Sequence, residues 1–181
     1  MTAPQVAAVG LAPMGRADLP RVLAIEVAVA SRPWSQATFL VELNRADRRY
    51  LVARPVPGGS ADPDGEAAAG GGAAGGEPGR EADVVGFAGV ALYPDEAHVM
   101  TIAVDPAVQG RGIGARLVNG MLAEVARAGL TAATLEVRAG NVAARRLYRR
   151  AGFEDAGVRS AYYPDGEDAV IMWRRPGVEV S

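Results

Sequence analysis

Two side chains in the segment "LEVRAGNVAARRLYRRAGF", Leu135 to Phe153, have the chemistry to move protons. Glu136 falls near the end of "TAATLEV", an apolar, β-branched run that reads as a strand. Ala139-Gly140-Asn141 breaks that run, and Asn141 opens a helical pattern that Gly152 stops. Tyr148 then lies about two turns below Asn141 on the same helix face. A carboxylate takes a proton and a phenol gives one. The carboxyl ends of strands are also where α/β sheets hold their ligands. Taken alone, Glu136 fits a solvent-facing strand end equally well, and Tyr148 fits a core aromatic beside Leu147.

A second stretch, "HVMTIAVDPAVQGRGIGARLVNGML", brings glycines to the start of a helix. The strand ends at Val104, Asp105-Pro106 turns the chain, and Gly110, Gly112 and Gly114 follow. Ile113, Leu117, Met121, Leu122 and Val125 form an apolar stripe, so this helix lays one face on a sheet. Its first N–H groups are left unpaired, and glycines let an anion approach them closely, which suits a phosphate. Gly110-x-Gly112-x-x-Ala115 matches the dinucleotide fingerprint in form, but "DPAVQ" stands between it and the strand it should follow directly. Gln109-x-x-Gly112-x-Gly114 is the competing pattern.

These groups must be positioned by a fold, and its elements are legible. Helices are expected over 17–30 and 35–46, then strands near 49–54, 84–92 and 97–104. A helix over 112–128, a strand at 131–137 and a helix at 141–151 follow. Strands at 153–162 and 168–174 close the chain, with a turn signal in "YYPDGED". The fold class is α/β (α+β): a mixed sheet of six to seven strands and about four helices, parallel in its centre and antiparallel at its start and finish. Pro55 to Asp83 holds 9 Gly, 7 Ala and 4 Pro, too little apolar surface to offset its ordering entropy. It reads as a disordered loop inserted into a single domain, 1–181, that ends in a short tail at 176–181.

Composition excludes several chemistries. The chain has no cysteine and one histidine, His98, so neither a thiolate nucleophile nor a histidine-cluster metal site is available. All 19 basic residues are arginine, which removes P-loop and Schiff-base lysine chemistry. The formal charge is −2, while the 55–83 segment alone carries six acids and Arg80, a net of −5. The remainder is therefore at +3, mildly basic, suited to an anionic ligand but not to nucleic acid. No apolar run is long enough to span a membrane, and a cytoplasmic location is expected.

Together the motifs carry a resemblance. Gln109-x-x-Gly112-x-Gly114 is similar to the pyrophosphate signature of GNAT acetyltransferases. Pro33-Trp34-Ser35, Glu136, Asn141, Tyr148 and Tyr162-Tyr163-Pro164 resemble the RimI-type ribosomal-protein-alanine N-acetyltransferases within that superfamily. The insert at 55–83 departs from the family pattern. The resemblance implies acetyl-CoA as co-substrate, no metal, and a protein N-terminus as acceptor, that of the eighteenth small-subunit ribosomal protein. It implies Glu136 as general base and Tyr148 as general acid. It further implies Ile102, Ala103, Val104, Gln109, Gly110, Arg111, Gly112, Ile113, Gly114 and Asn141 as the cofactor site. Trp34, Tyr162 and Tyr163 would wall the peptide groove. An α-amino group titrates near ~8 against ~10.4 for lysine, so its neutral fraction near pH 7 is roughly 10²-fold larger and the demand on the base is modest. With no cysteine to carry an acetyl group, transfer would be direct, in a ternary complex. The late acids Glu154, Asp155, Asp165, Glu167 and Asp168 could favour a basic peptide. A small-molecule amine as acceptor, or a non-catalytic acetyl-CoA-binding module, is the alternative.

Overall fold

The computed structural model describes residues 9–56 and 84–175. Most of the expected insert, at 57–83, and the tail at 176–181 lie outside the described residues. In chain order the elements are β1 (Val9–Pro13), α1 (Leu19–Val29), α2 (Gln36–Leu43), β2 (Arg48–Pro55), β3 (Gly86–Leu92), β4 (Ala97–Val104), α3 (Ile113–Arg127), β5 (Ala133–Arg138), α4 (Val142–Arg150), β6 (Glu154–Arg159) and β7 (Ala169–Arg174). One seven-stranded sheet runs β1-β2-β3-β4-β5-β7-β6, antiparallel everywhere except between β4 and β5. Strand β1 was not expected from the sequence. Gly10 and Pro13 weaken a strand signal, and such residues are tolerated here because β1 is an edge, paired only with β2. Pro55, expected in the loop, is the last residue of β2 and faces Val9.

Strand alternation divides the core into two layers. On β2, Leu51 and Ala53 join the cluster beneath α3 and α4, while Tyr50 and Val52 join the one beneath α1 and α2. Helix α3 buries Ile113, Leu117, Val118, Met121 and Val125, with Leu122 only half-buried at the margin of the expected stripe. Helix α1 buries Leu19, Val22, Ile25 and Glu26. Ser35 caps α2 through Thr38 N–H, and Asn141 caps α4 through Ala144 N–H. At the other end of α4, Gly152 (φ 86°) lets Phe153 N–H reach back to Tyr148 C=O, a helix-ending geometry that needs a left-handed residue.

Two irregularities open the sheet. Strands β4 and β5 are in register only at Ala97↔Ala133 and His98↔Thr134, and beyond that point no pairing joins them. On its other side β4 slips against β3: Val99 faces Val90 and Thr101 faces Gly89, which leaves Met100 as an extra residue. A bulge of this kind bends its strand and re-aims the neighbouring groups. Gly89, beside the bulge, is small for a separate reason, since a Cβ there would stand 2.2 Å from the Tyr50 ring.

Candidate active site

The gap between β4 and β5 is a cleft of about 370 Å³. Met100 to Ala103 line one wall and Leu135 to Arg138 the other, with Asn141, Ala144 and Tyr148 of the α4 segment, Tyr163, and Glu26 of α1 around them. Glu136 is thus not a solvent-facing strand end: its side chain is 14% exposed, with Oε2 3.1 Å from His98 Nε2 and Oε1 3.5 Å from Arg159 Nη1. Tyr148 is 9% exposed and packs edge-on against Phe153 at 5.9 Å. Burial, with a smaller contribution from Tyr163, pushes its hydroxyl up to about 12. It is therefore a fully protonated phenol at neutral pH.

A second cleft, about 470 Å³, lies over the start of α3. Val104, Gln109, Gly110, Gly112, Ile113, Gly114 and Ala115 form one side, and Ala143, Leu147 and Arg150 of α4 the other. Ile102, Asn141, Ala144 and Tyr148 line both clefts, so the two meet along α4. Gly110 (φ 76°) and Gly112 (φ 79°) both need the left-handed region. Gly112 is the N-cap of α3 and offers no side-chain cap, which leaves the first-turn N–H groups to a ligand. Gly114 is small for another reason, since a Cβ there would meet Leu147 Cδ2 at 3.2 Å. Gln109 donates from Nε2 to Val104 C=O at 3.1 Å, fastening the loop to the end of β4. Among the described residues, no group of three or more His, Cys, Asp or Glu side chains is placed to hold a metal ion.

The remaining expected site residues divide. Tyr163 lines the first cleft, Ala103 lines it with the β4 wall, and Arg111 lines neither cleft. Trp34 is not in the lining. Its ring packs on Phe39 at 5.4 Å, and its backbone N–H donates to Glu26 Oε1 at 3.1 Å. Tyr162 is 47% exposed and stands edge-on to Tyr163 at 5.2 Å, outside the cleft. The late acids are mostly occupied within the protein. Asp155 takes Arg145 and Arg149, Asp165 and Glu167 take Arg138, and Asp168 accepts Ala161 N–H. Only Glu154 of that set has no partner among the described residues.

Three residues in or beside the cleft were missed in the sequence. Glu26 is 5% exposed, and burial raises its carboxyl above the usual range, partly offset by the Trp34 N–H. Its signal was available: it falls on the Leu19–Val22 stripe, one more turn along, where an apolar residue is expected. Arg138 was hidden, because its role depends on three segments meeting. Its guanidinium donates to Ser31 Oγ (2.8 Å), Asp165 Oδ2 (2.8 Å) and Glu167 Oε2 (2.7 Å), and lies 4.0 Å from the centre of the Tyr163 ring. His98 was weighed only as a metal or triad residue, and its partner is the Glu136 carboxylate.

Comparison with known proteins bears on the family and the fold. The model of the acetyltransferase (GNAT) family matches residues 33–153. The chain is 38% identical over 169 residues to the N-alpha-acetyltransferase RimI of Mycobacterium tuberculosis, an alignment covering 90% of this chain and 89% of that one. It is 34% identical over 158 residues to the ribosomal protein bS18-alanine N-acetyltransferase of Escherichia coli, covering 86% and 89% respectively. The crystal structure of the ribosomal-protein-S18-alanine N-acetyltransferase from Escherichia coli superposes with a TM-score of 0.72 at 28% identity, over 96% of this chain and 99% of that one.

Proposed function

The chain belongs to the acetyltransferase (GNAT) family, and from that membership we propose that it transfers the acetyl group of acetyl-CoA to the α-amino group of a protein N-terminus, with the alanine-starting N-terminus of ribosomal protein bS18 as its substrate. The observation that carries the reading is the junction of the two clefts. Tyr148, Asn141, Ala144 and Ile102 stand where the glycine-rich loop opens onto a gap that holds Glu136. The pyrophosphate of acetyl-CoA would rest on the first turn of α3, held by Gly110, Gly112, Ile113 and Gly114. Its pantetheine arm would lie along β4, whose unpaired edge beyond His98 can accept it as an added strand.

Each chemical step has a residue. Glu136 takes a proton from the α-ammonium, directly or through water, and the freed amine attacks the thioester carbonyl carbon. The oxyanion that forms is met by main-chain N–H groups of β4 near the Met100 bulge, released from the sheet by the splay. Collapse breaks the C–S bond. The sulfur receives the Tyr148 proton, Tyr148 regains one from the attacking nitrogen, and the proton on Glu136 leaves to solvent. A phenol pushed up to about 12 gives its proton only as negative charge builds on sulfur, so Tyr148 acts late.

The test is intact mass of an alanine-starting bS18 peptide after incubation with enzyme and acetyl-CoA, beside a copy with a blocked N-terminus. One acetyl on the free peptide alone is expected. Glu136→Gln is expected to lower kcat by roughly 10²–10⁴-fold while acetyl-CoA affinity holds. Acetyl-CoA binding with no transfer to any N-terminus overturns the assignment in favour of a small amine or a binding module.

A further inference from the structure

His98 is the only histidine of the chain, and its Nε2 lies 3.1 Å from one oxygen of Glu136. The strands explain why the two meet. His98 pairs with Thr134 at the last rung joining β4 to β5, and Glu136 is two residues further along, on the same face as Thr134. The imidazole therefore stands at the closed end of the gap and Glu136 just inside its mouth. A glutamate has three side-chain rotors, and a base at the edge of an open gap must be held in one of them to be effective. Among the described residues, the guanidinium near the carboxylate is that of Arg159, which reaches Oε1 from β6 at 3.5 Å and is itself half exposed. Arg159 can swing away when a substrate ammonium arrives, whereas His98, carried on a central strand and 26% exposed, has little such freedom.

The geometry points to His98 as the positioning residue of the base. In that role Nε2–H, its nitrogen 3.1 Å from Oε2 of Glu136, would donate to that oxygen and leave Oε1 to receive the proton of the α-ammonium. This role rests on the function proposed above and adds to it an orienting group on β4. A contact of this kind tightens when substrate is bound, since catalytic hydrogen bonds are often loose in the free enzyme. The imidazole exchanges no proton in the step. A side chain of similar reach with one N–H donor therefore serves in its place, and glutamine is that side chain.

Two measurements test this. In peptide kinetics, His98→Ala is expected to lower kcat by about 10- to 100-fold, the range for misplacing a catalytic group. KM for the peptide and Kd for acetyl-CoA should stay within about twofold. His98→Gln should recover most of the lost kcat, and His98→Ala should cost nothing further in a Glu136→Gln background. An unchanged kcat in His98→Ala, a glutamine no better than alanine, or independent losses in the double variant would each overturn the inference. Independently of activity, the imidazole ¹⁵N spectrum of this single-histidine protein should show the Nε2–H tautomer and should change on Glu136→Gln. An indifferent spectrum rejects the contact itself, whereas a wild type that acetylates no N-terminus, with a responsive spectrum, rejects the proposed function and leaves the contact standing.

Discussion

At the scale of single residues, burial sets the protonation state of Tyr148. Tyr148 keeps its proton up to about 12 because the phenolate would be desolvated. The fold therefore binds that proton more tightly than the unfolded chain, whose tyrosine titrates near ~10. The resulting stability is fully present below pH ~10 and is lost as pH rises toward about 12. Tyr148→Phe keeps the packing on Phe153 but has no proton to lose. Its melting temperature should fall less steeply from pH ~10 to ~12 than that of the wild type, the remaining fall coming from Tyr50 and Tyr163, whose hydroxyls burial also raises. On the proposed mechanism the same variant at neutral pH should lose roughly 10²- to 10⁴-fold in kcat, with acetyl-CoA affinity kept, because the proton donor to sulfur would be gone.

Elements set how the two clefts open. Gly112 begins α3 at φ 79°, and a Cβ there would meet nothing within 4 Å, so the cost of Gly112→Ala is backbone strain alone. That strain is about 1–2 kcal/mol, or a fall in melting temperature of roughly 2–8 °C for a domain of this size. Acetyl-CoA affinity should fall with it, because the first turn of α3 tilts, and titration calorimetry checks both. Arg138 acts on the other cleft. It ties the α1–α2 loop, through Ser31, to the β6–β7 loop, through Asp165, Glu167 and the Tyr163 ring. Solvent-screened ion pairs of this sort add little stability each. Arg138→Met should therefore unfold only slightly earlier. The two loops would lose their common anchor, so KM for a peptide should rise several-fold while Kd for acetyl-CoA is unchanged.

For the whole molecule, the sheet is a sandwich filling between two helical layers, and its weakest seam is where the candidate site lies. All neighbouring strands are paired along their lengths except β4 and β5, which share two rungs. A ligand that fills the seam supplies contacts the apo sheet lacks. Acetyl-CoA at 100-fold its Kd should stabilise the fold by about 2.7 kcal/mol, a rise of roughly 5–11 °C in melting temperature. NAD should produce no shift, since Gly110-x-Gly112-x-x-Ala115 is separated from β4 by the Pro106–Val108 turn and does not follow its strand as a dinucleotide loop does.

The elements that announce themselves locally were legible before any tertiary structure. The helix stripe of α3, the Asn141 cap, the glycine loop and the alternating strands all follow from 3.6- and 2-residue periods and from turn chemistry, which act within a few residues. Glu136, Tyr148 and the loop glycines could be named as candidates because they sit near element ends, where sequence carries its clearest punctuation. Other features belong to pairs of segments. The splay after His98↔Thr134, the Met100 bulge and the edge strand β1 exist only once strands are in register. Glu26 in the cleft, Arg138 joining two loops and the acids it neutralises are likewise decided by contacts far apart in the chain. His98 shows the division most sharply: its identity was plain in the sequence, but only the pairing of β4 with β5 placed it against Glu136.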